Sequence, residues 1–128
     1  MSLISLQARP QQPAQLATVG YFDPDVDVAL VRTEKIQARP VRLARTSLES
    51  QDPAVVAGFP RGERFEATSV RVRTRVNARG ESIYGETGVE RDVYVLRGSV
   101  EQGMSGGALT DEFGEVFGMV FALSLIHI

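Results

Sequence analysis

The sequence has no cysteine, no tryptophan, a single histidine and no long apolar run. Without cysteine there are no disulfides, no thiol nucleophile and no zinc–thiolate site, and the redox compartment stays undetermined because exported proteins also lack cysteine. No apolar stretch approaches the roughly 20 residues that cross a bilayer, so no membrane contact is expected of this segment. Neither charge sign dominates: 14 Lys and Arg against 16 Asp and Glu leave a formal charge of −2. That balance excludes a basic nucleic-acid footprint.

What is present is an ordinary globular composition, 43% hydrophobic and 23% charged over 128 residues, enough for one sizeable core. Twelve glycines, six prolines and short apolar alternations predict an all-β chain, because no window sustains helical spacing. Strands are expected over 3–7, 15–22, 26–32, 54–59, 65–76, 90–97, 108–110 and 116–121. In the third, Val26, Val28 and Leu30 share a face opposite Asp27 and Ala29; in the fifth, Val70, Val72 and Val76 point inward. Asp23-Pro24-Asp25 reads as a turn, Ala78-Arg79-Gly80 with Gly85 and Gly88 as an irregular loop, and 33–53 as a connection. A boundary near Ser47 divides the chain into 1–46 and 47–128. Neither Met1-Ser2-Leu3-Ile4-Ser5-Leu6, which has no secretory leader, nor Leu125-Ile126-His127-Ile128 looks like a natural terminus, so both ends read as cut.

Gly103-Met104-Ser105-Gly106-Gly107 carries the most chemistry. A serine between glycines can expose its hydroxyl while neighbouring N–H groups converge on one point, as an oxyanion hole requires. The pentapeptide alone fits a glycine-rich turn between strands equally well. It also matches the nucleophile elbow of α/β-hydrolases, but that motif demands a following helix, whereas a strand, a turn and another strand follow here. An all-β serine hydrolase remains.

Residues 103–108 and Gly118-Met119-Val120 resemble the nucleophile region of chymotrypsin-fold serine proteases, with Met104 where Asp or Asn is usual. Asp27-Val28-Ala29-Leu30-Val31 resembles the strand that begins with the triad aspartate, although Asp23, Asp25 and Asp27 could each be plain turn residues. Tyr21 to Asp27, Gly58-Phe59-Pro60, Arg91-Asp92-Val93-Tyr94 and Val100-Glu101-Gln102-Gly103 extend the likeness over 15–122. It points to the membrane-tethered periplasmic MarP-type proteases, relatives of the HtrA proteases.

The resemblance implies a two-barrel fold, with 1–46 a remnant of the first barrel plus linker and 47–128 the barrel carrying the nucleophile. It implies Ser105 as nucleophile, a buried Asp27 orienting the histidine, the N–H groups of Gly103 and Ser105 as oxyanion donors, and no metal or cofactor. Ser99, six residues before the nucleophile, would floor the specificity pocket, and Phe121 and Ala122 would pair with substrate backbone. An uncharged floor favours small or apolar substrate side chains over Arg or Lys. The partner is a peptide or protein substrate, the location the periplasm or cell envelope, and the parent protein membrane-anchored.

The histidine of the family precedes the aspartate, and residues 1–26 contain none. His127 has the wrong order and reads as a terminal residue. A serine without its base is a poor nucleophile, so this fragment is expected to be inactive alone. The alternative is a non-catalytic peptide-binding pseudoprotease module. A partial first barrel should also leave hydrophobic edges exposed and the isolated chain prone to aggregation. Arg71, Arg73 and Arg75 form a basic row read as a solvated sheet face.

Overall fold

The computed structural model describes residues 3–7, 12–80 and 89–121. Among them the chain forms eight strands, one 3₁₀ turn at Pro60–Gly62 and no α-helix, the all-β class expected from the short alternations. The strands are β1 Leu3–Leu6, β2 Gln15–Asp23, β3 Val28–Arg32, β4 Pro53–Gly58, β5 Glu66–Gly80, β6 Val89–Arg97, β7 Ala108–Thr110 and β8 Val116–Met119. They make a three-stranded sheet ordered β1-β2-β3 and a five-stranded half-barrel sheet ordered β6-β5-β4-β7-β8. No described helix is long and apolar enough to cross a membrane.

The chain divides into two compact units, and the division is not a single cut. The first contains Met1–Arg39 and Asn77–Asp92, the second Pro40–Val76 and Val93–Ile128.

In the first unit β2 pairs antiparallel with β1 on one side and β3 on the other, with an irregularity between Val19 and Tyr21. The turn after β2 is longer than the sequence reading has it. The Asp25 N–H donates to Asp23 Oδ1 at 3.0 Å, and Asp27 adopts a left-handed φ of 57°, a conformation that Asp tolerates better than most residues. Val26 and Asp27 therefore belong to the turn, and β3 starts at Val28.

The second unit holds the core. Val56 on β4 and Val72 on β5 are completely buried, and Ala54, Val70, Leu48, Leu109 and Met104 pack with them. The period-2 alternation explains the selection: Ala54 and Val56 face inward from the central strand, while Val70 and Val72 face inward from its neighbour. Each fully buried valine of this kind contributes about 1.5–3 kcal/mol relative to exposure. Val76, expected to face inward, is 40% exposed, because it stands at the end of the second unit's part of β5. β5 also continues through Ala78-Arg79-Gly80; these were expected to form a loop, and strand pairing overrides their weak local preference. Gly85 and Gly88 lie outside the described residues.

The connection expected over 33–53 is structured at its second end. Ala44 N–H donates to the Val116 carbonyl at 2.9 Å and Val116 N–H to that of Arg42 at 2.8 Å, so this segment covers the outer edge of β8. Leu48 enters the core, and its N–H donates to the Tyr94 hydroxyl at 3.0 Å.

Candidate active site

Residues 98–107 join β6 to β7 in the second unit, and their course is set by opposed side chains at consecutive positions. Met104 is 1% exposed and lies within the core cluster, whereas Ser105 is exposed. Burying the thioether directs the following side chain outward. The reversal needs glycine on both sides, with φ of 90° at Gly103 and 87° at Gly106, a region costly for residues with a Cβ. At Gly107 the constraint is approach: a Cβ there would stand 2.8 Å from the Met104 carbonyl oxygen and closer still to that of Ala57.

The loop's amides fall into two sets. Gly107 N–H donates to the Met104 carbonyl at 2.8 Å, Gly106 N–H to that of Val120 at 2.6 Å, and Met104 N–H to that of Glu101 at 3.4 Å. The N–H groups of Gly103 and Ser105 have no hydrogen-bond partner among the described residues. Two unspent donors beside an exposed serine hydroxyl suit an acyl-transfer site, where one such donor is worth about 3–4 kcal/mol to an oxyanion. A strand, β7, follows directly, as the rejection of the hydrolase elbow requires.

The rim beside Gly103 is a feature that periodicity and motif matching missed. A Cβ on Gly103 would overlap the backbone of Arg61, in the 3₁₀ turn that follows β4. Arg61 has a left-handed φ of 57°, and its side chain reaches Glu101 at 3.7 Å and Glu63 at 4.0 Å. These pairs are well exposed, so each is worth only about 0–1 kcal/mol. Phe59 and Phe65 stack edge to face at 5.7 Å between centroids across the same turn. The signal in the sequence is slight: Pro60 and Gly62 mark a turn, and nothing there says what it touches.

Ser99 is exposed in the segment leading to the nucleophile loop, and Phe121 is 40% exposed. Val120 N–H donates to the Gly107 carbonyl at 2.8 Å just past the end of β8, so Phe121 stands two residues beyond that strand, shorter than the expected 116–121. Ala122 and His127 lie outside the described residues. Asp27 belongs to the first unit and Ser105 to the second. Its carboxylate is exposed, without a hydrogen bond or ion pair among the described residues; the expected burial is not found, because Asp27 sits in the turn instead of within a covered strand.

Arg71, Arg73 and Arg75 are all exposed, and two of them hold the connection to β5. Arg71 Nη1 donates to the Gln51 carbonyl at 2.7 Å and Arg75 Nη1 to Ser47 Oγ at 2.8 Å. Arg75 also lies over the Tyr94 ring at 5.9 Å.

Similar proteins give this geometry its context. The chain is 41% identical over 110 residues to the serine proteases Rv3671c and MT3772 of two Mycobacterium tuberculosis strains, which covers 85% of this chain and 28% of each relative. The crystal structure of the active form of the Rv3671c protease from M. tuberculosis superposes with a TM-score of 0.84 at 40% identity, covering 88% of this chain and 50% of that one. The inactive form gives 0.80 at 39% identity, with 90% and 59% covered. The chain thus spans about a quarter of the length of these curated relatives, and the MarP-type likeness read from the sequence stands. Residues 5–119 match the trypsin-like peptidase domain, and the chain belongs to that family of serine protease domains, as a part of the protease.

Proposed function

We propose that this chain is the nucleophile-bearing part of a serine endopeptidase that works through an acyl-enzyme. Ser105 Oγ attacks the peptide carbonyl and transfers its proton to a histidine supplied from outside residues 1–128. The N–H groups of Gly103 and Ser105 hold the oxyanion, and the histidine returns the proton to the departing amine. Asp27 orients that histidine once the elements around it cover the turn. In this reading 1–46 is the remnant of the first barrel with its linker, 47–128 is the second barrel, and the parent enzyme is anchored in the cell envelope.

The observation that carries the reading is the pairing of an exposed Ser105 with two unspent amides on a loop whose intervening residue is buried. Ser99 at the pocket floor leaves no charge to select Arg or Lys, so small or apolar side chains are preferred.

The test is peptide hydrolysis by the chain joined upstream to a histidine-bearing strand, profiled on a peptide library. Cleavage after small or apolar residues that vanishes in Ser105→Ala supports the proposal. Tight peptide binding without cleavage supports the pseudoprotease alternative instead, and a strong Arg or Lys preference sinks the assignment of Ser99.

A further inference from the structure

The nucleophile motif departs from its family pattern at Met104, and the surroundings of that side chain show what replaces the usual acid or amide. The other buried members of its core cluster are Leu48, Ala54, Val56, Val70, Val72 and Leu109, none of which offers a side-chain hydrogen-bond partner. With Val56 and Val72, it is one of the three largest fully buried side chains among the described residues. Its socket is backbone: a Cβ on Gly58 would lie 3.3 Å from Met104 Sδ and 3.6 Å from its Cε. The same residue closes the turn, since its carbonyl accepts from Gly107 N–H at 2.8 Å and its own N–H donates to the Glu101 carbonyl at 3.4 Å.

We propose that Met104 is a positioning residue that sets the nucleophile loop by apolar anchoring. Its thioether, seated over Gly58, fixes the peptide planes on either side so that the Gly103 and Ser105 amides face solvent while the Gly106 and Gly107 amides turn back into the fold. The family pattern places a polar residue here, which must find a polar tether when buried; in this chain the tether is the hydrophobic core itself. The loop is therefore formed whenever the second unit's core is formed, and its order does not depend on salt. The catalytic meaning of this anchoring rests on the protease reading; the anchoring itself does not.

Amide hydrogen exchange on the 128-residue chain tests it, comparing Met104→Leu and Met104→Asn with the parent. In Met104→Asn, exchange at Gly107 should accelerate on the order of tenfold or more, from a buried polar group with no partner, with the Val55 and Val56 amides of β4 little changed. Met104→Leu should restore parent exchange at Gly107, and added salt should leave it unaltered. A residue that merely filled the core would speed the loop and β4 in parallel, so parallel acceleration in a unit that is still folded, or an unchanged Gly107 in Met104→Asn, overturns the proposal. If Met104→Asn removes protection from the whole unit, Gly58→Ala decides: pressing on the socket should shift the Gly103 and Ser105 amide resonances with the β4 ladder intact, and unshifted resonances overturn the proposal. Because these readings use no turnover, a failed peptidase assay beside an intact Met104 dependence would indict the protease reading alone.

Discussion

In the second unit, alternate residues of β4 and β5 close a core with no exposed face at Val56 or Val72; in the first, Ala17 is the only described apolar residue that is buried. Leu16, Leu30 and Tyr21 on β2 and β3 are 76%, 63% and 58% exposed. The first unit also contains Thr33, whose Oγ1 is buried with no hydrogen-bond partner among the described residues. Both units have paired antiparallel strands, so the difference lies in how much apolar surface their described residues bury. The two halves of the proposed chemistry fall on opposite sides of it. Ser105 stands on a loop anchored in a core, while Asp27 stands in an exposed turn of a unit whose described residues bury only Ala17 among the apolar ones.

The largest difference between the units should be catalytic. In a chain completed with the histidine strand, Ser105→Ala should lower kcat by on the order of 10⁶ and Asp27→Asn by about 10⁴, measured by peptide hydrolysis. An Asp27→Asn enzyme within a few-fold of its parent would remove Asp27 from the triad and leave the turn as a turn.

Stability should separate the units next. Leu109→Ala, at a residue 3% exposed, is expected to cost about 2–5 kcal/mol in urea unfolding of the second unit. Leu30→Ala should stay within about 0.5 kcal/mol; a comparable loss at both sites would show that the first unit has a core of its own. Gly107→Ala should cost roughly 1–3 kcal/mol, as overpacking against the Ala57 and Met104 carbonyls. The smallest effect is expected at the rim, where Glu101→Ala should change stability by less than about 1 kcal/mol, and less still at high salt.

The sequence was most legible where local chemistry and global fold agree. Glycines at 103, 106 and 107 announce a serine turned outward, and the strand after them excludes a helix-based hydrolase; both stand in the structure. Alternation placed Val70 and Val72 inward correctly. It failed at Val76, because periodicity records which way a side chain points and not where the covering layer stops. The expected burial of Asp27 is not found for a related reason. Its motif marks a strand start, yet the Asx contact from Asp23 and the left-handed φ extend the turn by two residues, and burial depends on other elements. Met104 had no periodic signal, since a single residue in a loop has no face until the chain around it is folded. Leu48 was read as connection, and its place in the core depends on a hydrogen bond to Tyr94, far along the chain.

Fluorophosphonate labelling of Ser105 decides whether this serine is a nucleophile waiting for its base, compared between the 128-residue chain and the same chain completed with a histidine-bearing strand. Labelling should be no faster than the Ser105→Ala background in the first and stoichiometric and rapid in the second. Equal labelling of both chains, or none in either with the second unit folded, would contradict that role.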